Sequence, residues 1–478
     1  MPLLNRALVL AAVCALAGCK TVGPNFHTPV GPQGAAASGY AMAGDPVAVG
    51  VRLDPEARVG GPWWQAFGSP ALDETVRLAL ADSPTIAEAN ATLERYQAEA
   101  RAARGAELPQ VDATAGAQRE RINTQAFGFT GFPSPTISLY SIGATVSYDL
   151  DLFGAKRRAT EEAQAKAEAA ARQADAAYLT LTGNVAQQAM RVAGLRAQIA
   201  AIEAVIADDQ RTIDMVRKAE RAGGEAPSAS TSATSQLAED QALLPPLERQ
   251  LAAARHQLAL LSGKSPAEWV APNFDLASFT VPAEIPVSLP STLIRHRPDI
   301  LAAEAELHSA TAAVGVAVAN QYPDIKLSAN PTQSAIKPEK LFDYSASGWN
   351  ILAGVSAPIF HGGALRAQRK AAEAEARASL ARYQQTVLRA FTQVSDVLAA
   401  LATDQQQIEA LTNAQASAEA RVRDEQNAYR LGGAPLIDVV DAQRQLSRAR
   451  RAVAEAQGQK LADMAQLYAA TAADWRGA

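Results

Sequence analysis

The residues whose types and spacing could do chemistry gather near the C-terminal end of this 478-residue chain, in the run Tyr429-Arg430-Leu431-Gly432-Gly433-Ala434-Pro435-Leu436-Ile437-Asp438-Val439-Val440-Asp441. Asp438 and Asp441 stand three apart, so a helix carries both carboxylates on one face. Acidic groups in the first turn of a helix complement its macrodipole, which by itself accounts for the pair. Nothing elsewhere has a catalytic arrangement. The five histidines, His27, His256, His296, His308 and His361, show no pairing at metal-ligand spacing. Gly263-Lys264-Ser265 echoes the end of a phosphate-binding loop, but Leu258 occupies the position of the required first glycine and no strand precedes it. That segment reads as a turn. The Asp and Glu residues of the Ala-rich segments read as solvated helix faces, so neither an enzyme nor a metal site is expected.

The other chemically distinctive residue is Cys19. Met1 to Arg6 supplies one positive charge, and Ala7 to Gly18 is a run of apolar or small residues of signal-peptide length, too short to span a bilayer. Leu16-Ala17-Gly18-Cys19 has the form of a bacterial lipobox, in which the cysteine is acylated and becomes the new N-terminus. Cleavage there removes Cys14 and leaves no partner for a disulfide, so a covalent lipid on Cys19 is the only prosthetic group expected and stability must come from packing. Lys20 follows where lipoproteins retained at the inner membrane resemble one another in carrying Asp, which points to the outer membrane. With 44 basic and 49 acidic residues and no block of like charge, nothing advertises nucleic acid as a partner. No later segment reads as a membrane helix, so any spanning must be by β-strands.

The elements that must position these residues are duplicated. Ser83-Pro84-Thr85-Ile86 corresponds to Arg297-Pro298-Asp299-Ile300 and Leu108-Pro109-Gln110-Val111 to Tyr322-Pro323-Asp324-Ile325, both at an offset of 214. The segment Val146 to Gly154 matches Val355 to Gly363, and Arg221-Ala222-Gly223-Gly224 matches Arg430-Leu431-Gly432-Gly433, both at an offset of 209. Each repeat begins with an Ala-rich helical stretch, near 70–107 and 290–320, that ends at a proline before alternating segments. Ile142, Ala144, Val146, Tyr148 and Leu150 alternate with small or polar residues, as do Ile351, Ala353, Val355, Ala357 and Ile359. Aromatic residues fill the intervening loops: Phe127, Phe129, Phe132 and Tyr140 in one repeat, Phe342, Tyr344 and Trp349 in the other. They suit a belt at a lipid surface, and equally the packing of a half-buried soluble sheet.

Long helices follow, because Ala155 to Ala226 contains no proline and Ala364 to Leu431 neither proline nor glycine. Leu380, Tyr383, Val387, Phe391, Val394, Leu398 and Leu401 recur at spacings of three and four as a coiled-coil stripe. Both helices stop at Gly-Gly, and returning helices are expected near 228–262 and 436–470. The chain thus divides into a signal peptide, 1–18; an extended leader, 19–61; a first repeat, 62–262, with a strand pair over 111–152; a linker, 263–290; a second repeat, 291–470, with a strand pair over 325–360; and a tail, 471–478.

Cys19-Lys20-Thr21-Val22-Gly23-Pro24, Trp63-Trp64-Gln65-Ala66-Phe67, Arg297-Pro298-Asp299-Ile300-Leu301-Ala302-Ala303-Glu304 and Pro358-Ile359-Phe360-His361-Gly362-Gly363 together resemble the TolC-like outer-membrane efflux proteins, in the lipoprotein branch of OprM and NodT. The resemblance covers nearly the whole mature chain. It implies a mainly α protein with transmembrane β-strands: a trimer whose protomers each lend four strands to a twelve-stranded outer-membrane barrel, continuous with a long periplasmic α-helical barrel. It also implies a lipid-anchored exit duct for small molecules such as drugs or toxic compounds, working with a periplasmic adaptor and an inner-membrane pump of the resistance-nodulation-division kind. Asp438 and Asp441 would then form stacked carboxylate rings at the periplasmic entrance, favouring cations, with Tyr429 tying the closed entrance together. Ala434 departs from the arginine that one member of the family carries in that network. Arg221, Gly223 and Gly224, with Arg430, Leu431, Gly432 and Gly433, would be hairpin tips that meet the adaptor, and equally are turn residues. A duct for type I protein secretion or for heavy metals is the alternative within the class. A purely structural stalk has no use for duplicated strand pairs.

Overall fold

A computed structural model describes residues 21–30, 40, 62–128, 131, 133–280 and 290–471. Cys19, the signal peptide and most of the leader lie outside the described residues, as do Phe129, Phe132 and the tail beyond Thr471.

The first repeat opens with a 3-10 turn, Trp63–Phe67, and helix α1, Pro70–Asp82. The Ser69 hydroxyl caps α1 by accepting the Leu72 amide at 3.4 Å, and Pro70 fills the first position, where no amide is needed. Ser83 is extended ahead of Pro84, which starts α2, Pro84–Gly105. Strands β1, Gln110–Arg121, and β2, Thr136–Asp149, lead into α3, Ala155–Arg221, a single helix of 67 residues. Its return is two helices, α4, Pro227–Gln241, and α5, Leu244–Leu261, where the sequence reads as one. The break falls where Pro245 and Pro246 remove two successive amides. The second repeat runs α6, Pro290–His296; α7, Pro298–Ala319; β3, Asp324–Ala335; β4, Ser347–Ser356; α8, Ala364–Arg430; and α9, Leu436–Thr471. The alternation read as far as Ile359 stops at Ser356, just before Pro358, which has no amide to donate to a ladder. At about 1.5 Å per residue, α3 and α8 each reach on the order of 100 Å.

One compact unit comprises Met1–Pro29, Thr92–Ala170 and Ala303–Tyr383. It holds the four strands as one antiparallel sheet in the order β1-β2-β3-β4. The register sorts the side chains by chemistry: Val111, Val146, Ala329 and Ile351 form one row across all four strands, and Tyr148, Leu327 and Ala353 continue that face. The neighbouring row, Gln110, Ser147, Ser328 and Leu352, opens the other face, which is mostly polar and carries an Asn330 to Asn350 hydrogen bond of 2.7 Å. All of β1 and nearly all of β4 are exposed, with Ile351 74% and Trp349 77% accessible. An apolar face that nothing among the described residues covers is at odds with the half-buried soluble sheet. Pro331 sits in central strand β3, and the β2–β3 ladder skips there, between the pairs Gly143 to Thr332 and Val146 to Ala329.

The other unit comprises Val30–Ala91, Ala171–Ala302 and Gln384–Ala478, so each unit draws on both repeats. The Trp63-Trp64-Gln65-Ala66-Phe67 motif is part of its core. Trp63 stacks on Tyr468 with centroids 5.9 Å apart, Phe67 meets the same ring edge-on at 5.5 Å, and the Trp64 indole donates to Asp73 at 3.0 Å. Arg297 is likewise structural, paired with Asp299 at 2.9 Å and donating to Gln393 at 2.6 Å and to the Ala470 carbonyl at 3.2 Å. The stripe on α8 is buried at Val387, Val394 and Leu398. Helices α3 and α9 touch backbone to backbone at Gly194 and Gly458, where a Cβ built on Gly458 would lie 2.8 Å from the Gly194 Cα.

That contact sets a test. Gly458→Ala should cost about 1–3 kcal/mol through overpacking against an unyielding backbone, seen as a melting temperature lowered by several degrees in circular dichroism. Gly105→Ala, with open space around the new methyl, should leave the melting temperature unchanged.

Candidate functional site

The two hairpin tips have the same backbone solution. At the first, the Gly223 amide donates to the Glu220 carbonyl and the Gly224 amide to the Ala219 carbonyl, both at 2.9 Å. At the second, Gly432 donates to Tyr429 at 3.0 Å and Gly433 to Ala428 at 2.8 Å. This double closure requires a left-handed residue, and Gly223 and Gly432 have φ of +78° and +77°. Gly224 and Gly433 instead give the closing amides. Leu431 projects at the second tip, 87% accessible, beside the exposed Arg430, while Arg221 is exposed at the first.

Just behind the tips an apolar cluster draws on both hairpins: Ile213 and Val216 of α3, Ala233 of α4, and Leu436, Val439 and Val440 of α9, with Tyr429 of α8 packed against them. Burial raises the Tyr429 phenol above its ordinary pKa, and the Glu225 carboxylate, hydrogen-bonded to it, adds to the rise. Tyr429 thus links the second tip to the first. Glu225 escaped the sequence reading, although the offset of 209 sets it opposite Ala434 and so puts an acidic residue in the first tip.

Asp438 and Asp441 lie half-buried in the first two turns of α9, off the buried face made by Leu436, Val439, Val440 and Gln443. Asp441 is 3.6 Å from Arg444 on the same helix, and Arg444 also reaches Glu239 at 3.8 Å and hydrogen-bonds Gln236. Further up, Thr212 and Gln443 bond across α3 and α9, at 3.0 and 2.7 Å, and Arg450 lies 3.5 Å from both Asp208 and Glu419. Alternating apolar and polar layers therefore hold the hairpin ends together.

Two buried carboxyl pairs stand apart from these satisfied contacts. Asp209 of α3 faces Asp240 of α4, and Asp404 of α8 faces Asp463 of α9. Each pair joins the outgoing and returning helix of one hairpin. One oxygen of Asp209 and one of Asp404 are buried without a donor, as expected when two acceptor-only groups meet. Burial, then the bond and charge of Asp240 and the charge of Asp208, push Asp209 up to about 7, against a weaker pull from Arg444. Burial, then the charge and bond of Asp463, push Asp404 up to about 6, against Lys460. Below those values a proton shared within each pair supplies the missing donor.

A duplicated chain with two very long helical hairpins and a single sheet that no layer covers has the fold of the TolC-like outer-membrane channels. The chain belongs to the outer membrane efflux protein family, whose pattern matches residues 75–264 and 289–473. The solvent efflux pump outer membrane protein SrpC of Pseudomonas putida is 28% identical over 473 residues, covering 98% of each chain. The pyoverdine export outer membrane protein OpmQ of Pseudomonas aeruginosa is 29% identical over 418 residues, 87% of each. The solved structure of the outer-membrane channel OprN superposes with a TM-score of 0.86 at 25% identity, over 96% of this chain and 100% of that one. The chain is accordingly an outer-membrane component of an efflux pump, a channel and not an enzyme. TolC-like channels assemble as trimers and extend into the periplasm.

The carboxyl pairs make stability depend on pH with a definite sign. A carboxyl whose pKa is raised by folding stabilises the fold fully below its unfolded value near 4 and loses that contribution as pH rises through the folded value. The melting temperature should therefore be higher at pH 5 than at pH 8, with the loss complete once pH has passed about 7. Asp209→Asn combined with Asp404→Asn should flatten this dependence; calorimetry across that range checks it.

Proposed function

We propose that three copies of this chain form a passive exit duct for small molecules such as drugs or toxic compounds, anchored in the outer membrane by lipid on Cys19. The observation that carries the reading is the sheet. Its four strands have an apolar face, a polar face and two open edges, β1 and β4. An unpaired edge in lipid leaves backbone groups unsatisfied at several kcal/mol each, so each edge needs the edge of another copy. Threefold closure makes twelve strands of 10 to 14 residues, long enough to cross a bilayer when tilted. Solvents and pyoverdine are the cargoes in the names of relatives SrpC and OpmQ, and both support a small-molecule cargo here.

Within that duct, Asp438 and Asp441 line the periplasmic entrance as repeated carboxylates that favour cations, and Tyr429, held against Glu225, helps keep the tips closed. The tips, Arg221, Gly223 and Gly224 with Arg430, Leu431, Gly432 and Gly433, dock a periplasmic adaptor, which couples the duct to an inner-membrane pump of the resistance-nodulation-division kind. The exposed Leu431 supports this, since an isolated apolar side chain on a projecting turn gains from being covered.

Planar-bilayer conductance of the detergent-extracted protein tests the reading. Wild type should give small, cation-selective currents. Asp438→Ala with Asp441→Ala should lose most of that selectivity, and Tyr429→Ala should raise conductance several-fold, roughly the effect expected from removing one gate contact of about 1 kcal/mol. If neither wild type nor the Tyr429 variant ever conducts, the duct reading fails and a structural stalk replaces it.

A further inference from the structure

Helix α4 is poorly equipped by its sequence to be a helix. Six of its 15 residues are Ser or Thr, and its single large apolar residue is Leu237. Hydroxyl side chains compete for the backbone groups a helix needs: those of Ser230 and Thr231 donate to the Pro227 carbonyl at 3.1 and 3.2 Å, and that of Thr234 donates to the Ser230 carbonyl at 2.8 Å. A helix of this length and composition is marginal in water, so its order must come from what it touches.

Breaks at both ends leave α4 to stand alone. Pro245 and Pro246 interrupt the amide ladder between α4 and α5, and the left-handed turn at Gly223 separates α4 from α3. Helical order propagates through successive hydrogen bonds, so a helix interrupted on both sides can open without its neighbours. The return of the second hairpin, α9, runs through 36 residues with no such interruption.

Two kinds of contact hold α4. Ala233 is buried in the apolar cluster behind the tips, with Ala229 and Leu237 packed against it. In the last two turns the contacts are polar and deeply buried: Gln236, Asp240 and the facing Asp209 of α3 are 5%, 6% and 4% accessible. Gln236 donates to Asp240 at 2.6 Å and accepts from Arg444 of α9, while one oxygen of Asp209 has no donor. The charges around the pair do not make up for this. Asp208 adds to the repulsion, and the opposing Arg444 is shared with Glu239 and Asp441. Arg211 and Arg450 are engaged by Asp208, Arg450 also by Glu419 of α8, and Arg423 of α8 lines the same cleft as Asp208 and Asp209.

The protonated and the ionised pair therefore act on α4 in opposite ways. With one proton between them, Asp209 and Asp240 form a hydrogen bond that ties the end of α4 to α3. With none, two buried carboxylates repel across the same contact. We propose that α4 is a proton-operated switch: Asp209 and Asp240 keep it folded against α3 and α9 while they share a proton, and release it by local unfolding when the proton leaves. Release takes Ala229, Ala233 and Leu237 out of the apolar cluster and loosens the first tip, while α9 stays helical. Asp209 is pushed up to about 7, so the hold is complete below the unfolded value near 4 and is lost as pH rises through about 7. The pair Asp404 and Asp463 joins two unbroken helices, α8 and α9, and has no such segment to release. The switch requires no assumption about cargo or conduction.

Hydrogen exchange read by mass spectrometry on the full-length protein at pH 5 and pH 8, with exchange times scaled for the intrinsic effect of pH on amide chemistry, tests this. In wild type the α4 amides should open about tenfold more often at pH 8 than at pH 5, while α5 and α9 change less than about twofold. Asp209→Asn gives Asp240 a permanent donor and should leave α4 equally protected at both pH values. Asp240→Asn should do the same through the reverse bond, and serves if the first variant does not fold. Asp404→Asn, in the other hairpin, should keep the wild-type response of α4. Equal protection of α4 at pH 5 and pH 8 in wild type overturns the switch, as does a response that survives in the Asp209 and Asp240 variants or that Asp404→Asn abolishes. A loss at pH 8 shared equally by α4, α5 and α9 overturns it too, because that is a general loosening of the hairpins.

Discussion

Backbone hydrogen bonding in a medium without water governs this molecule. A sheet with one apolar face must lie against something apolar, and no layer among the described residues covers it. If that medium is lipid, the amides and carbonyls along β1 and β4 have nowhere to turn except to another copy of the same edge. The long helices inherit the consequence. They begin within a few residues of the strand ends, at Ala155 after Asp149 and at Ala364 after Ser356, so the start of each long helix is tied to the sheet. The protomer is legible as a part only through the groups it leaves unsatisfied.

The hairpin ends pose a second problem, that of holding four helices together side by side. The solution is graded. An apolar cluster and a tyrosine-to-carboxylate contact hold the tips, a buried threonine-to-glutamine pair follows, and carboxyl pairs bind outgoing to returning helices. None of these layers is strong alone. Polar layers of this kind cost stability against an all-apolar seam while fixing register, as single polar residues do in coiled coils.

Much of the fold was legible because its signals are local. Gly223 and Gly432 announce the hairpin reversals, since only glycine takes a left-handed turn without penalty, and the absence of proline announces α3 and α8. The proline pair at 245 and 246 is equally local, and helical periodicity alone does not register it, which is why α4 and α5 look like one helix in the sequence. Alternation carried β4 too far because a side-chain period does not register the missing amide of Pro358. Contacts distant in sequence were not legible at all: Asp209 with Asp240 and Asp404 with Asp463 each depend on packing that no spacing rule encodes. Glu225 lies between these cases, since the repeat points to its position but only the fold brings it to Tyr429.

The seam between β2 and β3 joins the two repeats by the same antiparallel pairing that joins strands within each repeat. A polypeptide encoding one repeat alone would therefore expose two strand edges of the same kind as those of the whole chain, and six such halves could close the ring that three whole chains close. Joining two repeats in one chain converts three of six intermolecular seams into covalently tethered ones. Tethered halves need not be identical, and here they differ at Glu225 against Ala434 and in the broken against the unbroken return helix. Two unlike hairpins in one chain leave a closed ring of three copies with threefold rather than sixfold symmetry.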